Sequence, residues 1–264
     1  MTGQNLRMRL LGTSHFGPSL MVTFAGFLMA QSSGSIGSAL GIALTIFMGQ
    51  LCIGWTNDLV DLESDQSQGR KNKPLANGTI SVRTVVVATG ISLAACILLS
   101  LFGPFGLRGG LLHLLAVGCG IAYNFYFKKS PLSPLPYVIA FGAFPSAIAL
   151  SKNHTVPIWL MALGALFGVA AHFANVVKDM DQDRLAGLRG LPQRLGTRAS
   201  LVIAGTALLL IAIILAIHTH LWIPVPVSTM AALLLFVAPK KYCFPLVMAL
   251  ASTDVVILVS RISL

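Results

Sequence analysis

Long apolar segments separated by short polar loops recur along the whole chain. Each segment is about as long as an α-helix must be to cross a hydrocarbon core of about 30 Å. The pattern predicts nine such helices, at residues 14–33, 36–56, 82–102, 109–127, 134–151, 155–177, 199–217, 221–238 and 242–260. Prolines interrupt the fifth segment and open the eighth, so these two are the least regular of the nine.

The composition agrees with a chain that lies in lipid. Hydrophobic residues make up 55% of the sequence and charged residues only 10%, and the mean hydropathy is +0.82. An average soluble domain has about 25% charged residues. We therefore expect an all-α integral membrane protein with a single domain over residues 1–264.

A net charge of +10 is typical of nucleic-acid-binding proteins, but the placement of the basic residues indicates a membrane topology instead. With the amino terminus in the cytoplasm, all but three of the eighteen Lys and Arg residues fall on the cytoplasmic side. The exceptions are Arg108, Lys152 and Arg261. This asymmetry follows the positive-inside rule, so we expect a multi-pass protein of the cell membrane, in contact with membrane lipid and without a nucleic-acid partner.

All but one of the eight acidic residues form two short clusters on the cytoplasmic side. The first cluster contains Asp58, Asp61, Glu63 and Asp65, and the second contains Asp179, Asp181 and Asp183. The exception is Asp254. Because carboxylates beside a bilayer are costly unless a cation compensates them, the clusters indicate a metal-binding site.

The two clusters are copies of one another at a constant spacing. At an offset of 118 residues, Asn57, Asp61 and Asp65 match Asn175, Asp179 and Asp183, Pro74 and Gly78 match Pro192 and Gly196, and Lys71 matches Arg189. Proline and glycine make up about 5% and 7% of average sequences, so these further matches favour duplication over chance. We expect two related halves, with repeat segments at about 57–78 and 175–196.

Helix geometry separates candidate ligands from bystanders, because successive residues advance about 100° around the axis. On a helix, each cluster leaves one carboxylate on the far side, and these are Glu63 and Asp181. The other polar residues of the first cluster fall within an arc of about 100° around the helix axis, and those of the second within about 80°. These residues are Asn57, Asp58, Asp61 and Asp65 on the second helix, and His172, Asn175, Asp179 and Asp183 on the sixth. We predict the five aspartates on these faces as metal ligands, Asn57 and Asn175 as substrate-binding residues, and Glu63 and Asp181 as non-ligands.

Two such faces opposite one another would form a clamp for Mg2+ and a diphosphate. Mg2+ binds through one or two carboxylates together with water and substrate phosphates. Nearby cations could contact the phosphate oxygens. The candidates are Arg70, Lys71, Lys73, Lys128, Arg189 and Arg194, and the competing explanation for each is the general attraction of Lys and Arg to cytoplasmic loops.

The first cluster, N57-D58-L-V-D61-L-E-S-D65, resembles the N-D-x-x-D-x-x-x-D motif of the UbiA superfamily of intramembrane prenyltransferases. The stretch from Asp179 to Gly187 resembles the second motif of that superfamily, D-x-x-x-D-x-x-x-G, and a Tyr-to-Lys element spans Tyr123 to Lys128. The resemblance implies a helical bundle around a central cavity, Mg2+, and a polyprenyl diphosphate donor. It also implies transfer of the prenyl group to a lipophilic, commonly aromatic, acceptor. Aromatic-type members commonly have Lys-Thr after the second motif, where this chain has Leu188-Arg189, so the subfamily and the acceptor stay open.

The chemistry implied by the resemblance assigns roles to further residues. Asp61 and Asp179 are expected to be essential because they hold the metal, and the Tyr123 ring could stabilise an allylic cation. His172 could accept a proton, although a structural hydrogen bond to a neighbouring helix explains it equally well. Gln50 and Gly54 could line the same pocket, with helix packing as the competing explanation for Gly54.

Two other functions remain open from the sequence. A terpene cyclase on the same scaffold would ionise farnesyl or geranylgeranyl diphosphate without an acceptor. A cation transporter built from repeats would place its carboxylates near the bilayer midplane, whereas both clusters here lie at one surface. The oligomeric state is not predicted.

Overall fold

The computed structural model describes residues 3–32, 34–152, 155–185 and 187–261, and these residues form helices joined by short loops, without a strand. The α-helices are α1 (Gly3–Gly12), α2 (Phe16–Gln31), α3 (Ile36–Ser67), α4 (Val82–Phe102), α5 (Gly106–Phe125), α6 (Leu135–Ser151), α7 (Ile158–Val177), α8 (Met180–Leu185), α9 (Leu191–Leu195), α10 (Thr197–Thr219), α11 (Pro224–Val237) and α12 (Cys243–Arg261). Short 3₁₀ turns lie at Phe127–Lys129 and Lys240–Tyr242. The predicted all-α fold class is confirmed.

Each of the nine apolar segments coincides with a helix, but the count of nine spanning helices is not confirmed exactly. Six helices within the described ranges are long and apolar enough to cross a membrane. The other three, α2, α6 and α11, are apolar but shorter than 18 residues. Prolines lie in the first turns of α6 and α11, where a missing backbone N–H costs no helical hydrogen bond.

The structure adds short helices that hydropathy does not reveal. Helix α1 is too short and too polar to form a span, and α8 and α9 lie in the loop after the second acidic cluster. Helix α3 continues to Ser67, well beyond the end of its apolar segment at residue 56. The first acidic cluster therefore lies on a helix that projects from the apolar layer.

The helices that carry the two acidic clusters occupy different parts of the bundle. Helix α3 packs against α2, α4 and α5, whereas α7 packs against α6, α10 and α12. Within the described residues, α3 and α7 do not pack closely against each other.

The two loops that follow the clusters share one backbone feature. Gly78 and Gly196, which are equivalent in the proposed repeat, have φ angles of 74° and 89°. L-residues with a side chain rarely adopt this region, which explains glycine at both positions. The duplication itself stays a prediction.

Candidate functional site

Two carboxylates of the first acidic cluster are buried and share one lysine as their partner. Asp58 and Asp65 are only 2% and 4% exposed on the last turns of α3. Lys73 lies between them, with its Nζ 2.9 Å from Oδ1 of Asp58 and 2.7 Å from Oδ2 of Asp65. Burial alone would lower the pKa of Lys73, but the two carboxylates raise it above its ordinary value. Lys73 is therefore a buried ammonium cation that compensates two carboxylates.

Arg70 connects the two clusters. Its Nε lies 3.4 Å from Oδ1 of Asp65, and its Nη2 donates a hydrogen bond to Oε1 of Gln182 at 3.3 Å. Gln182 lies inside the second cluster, on α8. The loop after α3 thus reaches across to the second half of the chain.

Asp61 has a different cationic partner, from the end of α5. The Nζ of Lys128 lies 2.5 Å from Oδ2 of Asp61. Both side chains are partly exposed, so this pair faces the space between the clusters rather than the packed interior. The Tyr-to-Lys element predicted from the sequence therefore meets the first motif directly.

Asn57 joins a hydrogen-bonded group that sequence reasoning missed. Its Nδ2 donates to Oδ1 of Asn124 at 3.2 Å, and Asn124 donates to the backbone oxygen of Ile53 at 3.0 Å. His15 Nε2 lies 2.9 Å from Oδ1 of Asn57 and 3.5 Å from Oδ1 of Asp58. A buried amide in an apolar helix could have drawn attention to Asn124, but nothing in the sequence marks His15.

The second cluster does not lie on an uninterrupted helix, which corrects the helical-face prediction. Helix α7 ends at Val177, and α8 begins at Met180. In the turn between them, Asp179 N donates a hydrogen bond to Val176 O, three residues back, whereas an α-helix pairs residues four apart. The four-residue spacing resumes with the hydrogen bond from Asp183 N to Asp179 O. The arc that placed His172, Asn175, Asp179 and Asp183 on one face is therefore wrong in detail, because that arc assumes continuous helical rotation.

The carboxylates of the second cluster are less well compensated than those of the first. Asp183 accepts a hydrogen bond from Nε2 of Gln193 at 2.8 Å and forms no ion pair with a described residue. Burial raises the pKa of its carboxyl, and the negative charge of Asp179 acts in the same direction. The hydrogen bond from the Gln193 amide and the positive charges of Lys128 and Arg70 oppose this rise in the pKa of Asp183. Since Lys128 and Arg70 also pair with the first cluster, the two clusters share one electrostatic environment.

The two predicted non-ligands point away from this environment. Glu63 is exposed, and the Asp181 side chain is 76% exposed and lies 2.9 Å from Nζ of Lys240. The Lys240 charge and hydrogen bond lower the pKa of Asp181. Their exclusion as ligands stays a prediction, and the geometry agrees with it.

The remaining predicted phosphate contacts lie at different distances from the clusters. Arg189 is exposed, and Arg194 donates from Nε to the backbone oxygen of Arg189 at 2.8 Å, so this pair stays within the loop before α10.

Asn175 and Gln50 are half-buried on α7 and α3, below the second and first clusters respectively. Their roles in substrate binding stay predictions.

Gly54 lies against the backbone of a neighbouring segment, in agreement with the packing explanation. A Cβ at this position would lie 2.2 Å from the backbone oxygen of Ser14. The absent side chain therefore makes room for the chain between α1 and α2. This agrees with the helix-packing explanation given from the sequence, and a role of Gly54 in the substrate pocket stays a prediction.

His172 is fully buried in an aromatic cluster. It is 0% exposed, and its Nε2 lies 3.1 Å from Oγ of Ser133. Rings of Tyr123 and Tyr137 contact the imidazole at centroid distances of 5.7 and 4.8 Å. Ser133 also accepts a hydrogen bond from the backbone N–H of Leu191, so His172 is connected to the loop that carries Gln193. This arrangement agrees with the structural alternative for His172, and the proposed roles of His172 and Tyr123 in catalysis stay predictions.

The residues of the two clusters fit a hard divalent cation. Within the described ranges, no group of three or more His, Cys, Asp or Glu side chains converges closely enough to hold a metal by protein ligands alone. Mg2+ does not require such a group, because it usually takes one or two carboxylates and completes its shell with water and substrate phosphates. The oxygen-only donors suit that mode of binding, and so does Asp183, which forms no ion pair with a described residue.

The sequence matches a known family over most of its length. Residues 19–244 match the model of the UbiA prenyltransferase family. Digeranylgeranylglyceryl phosphate synthase from Natronomonas pharaonis is 27% identical over 190 residues, which cover 69% of this chain and 66% of that relative. The chain thus spans just under two thirds of the length of this relative.

Solved structures share the fold at low sequence identity. The apo structure of a UbiA homologue from Aeropyrum pernix K1 matches with a TM-score of 0.69 and 19% identity, covering 90% of this chain and 94% of its own. A UbiA homologue from Archaeoglobus fulgidus bound to GPP and Mg2+ also matches with a TM-score of 0.69, at 18% identity, over 96% and 99% of the two chains. These likenesses confirm the architecture of the helical bundle.

Proposed function

Because the chain belongs to the UbiA prenyltransferase family, we propose that it is a Mg2+-dependent enzyme that ionises a polyprenyl diphosphate and transfers the prenyl group to a lipophilic acceptor within the membrane. One observation carries the proposal. Arg70 pairs with Asp65 of the first cluster and donates a hydrogen bond to Gln182 within the second, beside the pair of Lys128 and Asp61. A diphosphate placed there would meet carboxylates that can hold a metal from both halves of the chain.

Each group in the proposed site has a distinct task. Asp58, Asp61, Asp65, Asp179 and Asp183 would hold Mg2+. When bound, Mg2+ neutralises the negative charge that develops on the leaving diphosphate. Lys128 and Arg70 are placed to exchange their carboxylate contacts for phosphate oxygens, which bind Arg and Lys through charge-assisted hydrogen bonds.

The proposed reaction breaks an allylic C–O bond heterolytically, and the bonding electrons leave with the diphosphate. An electron pair of the acceptor then forms the new bond to the allylic carbon, and the acceptor loses a proton. The reacting carbon must be kept from water until this step, and a site within the bilayer provides that protection. The carboxylates are not needed as bases in this scheme.

One relative supports the proposed donor, and another suggests a class of acceptor. The Archaeoglobus homologue was solved with GPP and also with DMAPP, each with Mg2+, which supports a prenyl diphosphate donor. The Natronomonas relative is named for a glyceryl phosphate product that carries two geranylgeranyl groups, so a lipid alcohol joins the aromatic compounds as a candidate acceptor. The distribution of basic residues supports a cytoplasmic location of the two clusters.

The proposal is tested by incubating purified protein with Mg2+ and farnesyl or geranylgeranyl diphosphate. Three mixtures contain no acceptor, an aromatic acceptor, or a glyceryl phosphate with one geranylgeranyl chain. Prenylation that depends on an acceptor supports the transferase, and the productive mixture identifies the acceptor class. A cyclic hydrocarbon or alcohol formed without acceptor would support the cyclase instead. Diphosphate release that persists after chelation would overturn the metal dependence.

A further inference from the structure

Asp254 is a buried carboxylate that the proposed reaction does not use. It lies on α12 with only 6% of its surface exposed, and its Oδ1 has no hydrogen-bond partner among the described residues. An isolated carboxylate in apolar surroundings is costly, and ionisable residues inside membrane segments usually mark functional sites. A ligand that donates a hydrogen bond to Asp254 would supply the partner that this oxygen lacks.

Asp254 lines a narrow apolar cavity of about 90 Å³ between α2, α6, α7, α10 and α12. The walls are formed mainly by Met, Phe, Leu and Val side chains, among them Met21, Phe141, Leu163 and Phe167. Ser252 is the other polar side chain that lines the cavity, and its hydroxyl donates to the backbone oxygen of Met248 at 3.0 Å. The walls thus leave the Asp254 carboxyl without a donor.

The cavity lies well away from the acidic clusters. Helix α12 begins at Cys243, next to Lys240, which contacts Asp181 of the second cluster. Asp254 follows three helical turns later, about 16 Å deeper along the helix axis at 1.5 Å per residue. A ligand held by Asp254 therefore has its polar group far from the proposed diphosphate site.

We propose that this cavity binds a lipophilic alcohol whose hydroxyl donates a hydrogen bond to Asp254 while its chain lies among the apolar walls. A hydroxyl supplies the missing donor without bringing a second charge into the membrane, which would carry a large desolvation cost. The apolar walls suit a hydrocarbon chain. This binding does not depend on the diphosphate chemistry.

The experiment uses purified full-length protein and a C12 alcohol that carries a diazirine in its chain. After photolysis, mass spectrometry maps the labelled peptides. Labelling is then repeated with unlabelled dodecanol as competitor, or with its methyl ether, which has no hydroxyl donor. We expect labels on α2 and α12, and we expect dodecanol to compete at about tenfold lower concentration than the ether, because the ether leaves a buried acceptor unmet. Asp254→Leu should remove this preference, whereas the neighbouring Ser252→Ala should keep it.

Equal competition by alcohol and ether in the wild-type protein would overturn the proposal, and water would then be the better partner for Asp254. A preference that survives in Asp254→Leu would overturn it as well, and so would labels confined to other helices. The comparison of alcohol with ether needs no variant, so it stands even if Asp254→Leu fails to fold. Diphosphate release measured on the same preparations reports separately on the proposed transferase activity.

Discussion

Lys128 joins the end of α5 to the first acidic cluster, with its Nζ 2.5 Å from Oδ2 of Asp61. Burial raises the pKa of Asp183, in the other half of the chain, and the charge of Lys128 opposes this rise. One cation therefore acts on both clusters, from a position where its partner carboxylate is only partly buried. Lys128 can therefore exchange its contact with Asp61 for a contact with a substrate phosphate.

We predict that Lys128→Met lowers the rate of diphosphate release about 100-fold, because loss of one preorganised donor to developing charge typically costs a factor of about 10²–10³. The neighbouring Lys129→Met is the control, since Lys129 is exposed and forms no ion pair with a described residue. It should stay within about twofold of wild type. Steady-state assays of released diphosphate at saturating Mg2+ measure both, and similar losses in the two variants would contradict a specific role for Lys128.

A second prediction compares two proposed metal ligands with the two acidic residues that are predicted not to bind metal. Asp61→Ala and Asp179→Ala should each abolish diphosphate release, because they remove the proposed metal ligands. Glu63→Ala and Asp181→Ala should be mild, since both side chains are exposed and directed away from the site. Mn2+ titration followed by electron paramagnetic resonance adds a measure of metal binding that is independent of turnover. Equal effects across all four variants would refute the assignment of faces.

Lys73 allows a test of stability that involves the metal. Lys73→Met leaves Asp58 and Asp65 buried without their shared cation, and removal of one partner from a buried ion pair typically costs about 3–5 kcal/mol. We expect a loss of that size in the free energy of unfolding, followed by denaturant titration in detergent. Added Mg2+ should restore part of it, because a divalent cation can take the place of the ammonium group.

Lys71→Met is the matched control for this variant, because Lys71 is exposed in the same loop. It should leave the unfolding free energy within about 0.5 kcal/mol of wild type, as surface substitutions usually do. No recovery of Lys73→Met in Mg2+ would show that the cluster does not bind the ion in the way proposed.

The sequence predicted the architecture well because hydropathy reports directly on helices that face lipid. It also singled out Asp61, Asp179 and Lys128 as candidate site residues, since charged residues are rare in an apolar chain and therefore informative, and their roles stay predictions. The break between Val177 and Met180 was missed, because α8 is polar and periodicity continues across the turn. Rotation angles along a helix hold only while the helix is unbroken.

Contacts between distant segments were beyond the reach of sequence patterns. His15 reaches Asn57 from the junction of α1 and α2, where it adopts a left-handed backbone conformation with φ of 51°. Neither α1 nor this junction has a hydropathy signal. Gly54 was assigned to a pocket for the same reason, since the Ser14 backbone that covers it could not be predicted.

Gly54 yields the last prediction, which separates helix packing from substrate binding. In Gly54→Ala, the new Cβ would lie 2.2 Å from the Ser14 oxygen, and a backbone atom cannot move aside as a flexible side chain would. We expect a loss of about 1–3 kcal/mol in the free energy of unfolding, as is usual for overpacking. Gly90→Ala is the control, because a Cβ on Gly90 in α4 meets no atom within 4 Å. It should gain up to about 1 kcal/mol from helix propensity. Denaturant unfolding in detergent measures both, and a stable Gly54→Ala protein with an altered preference for prenyl chain length would return Gly54 to the substrate pocket.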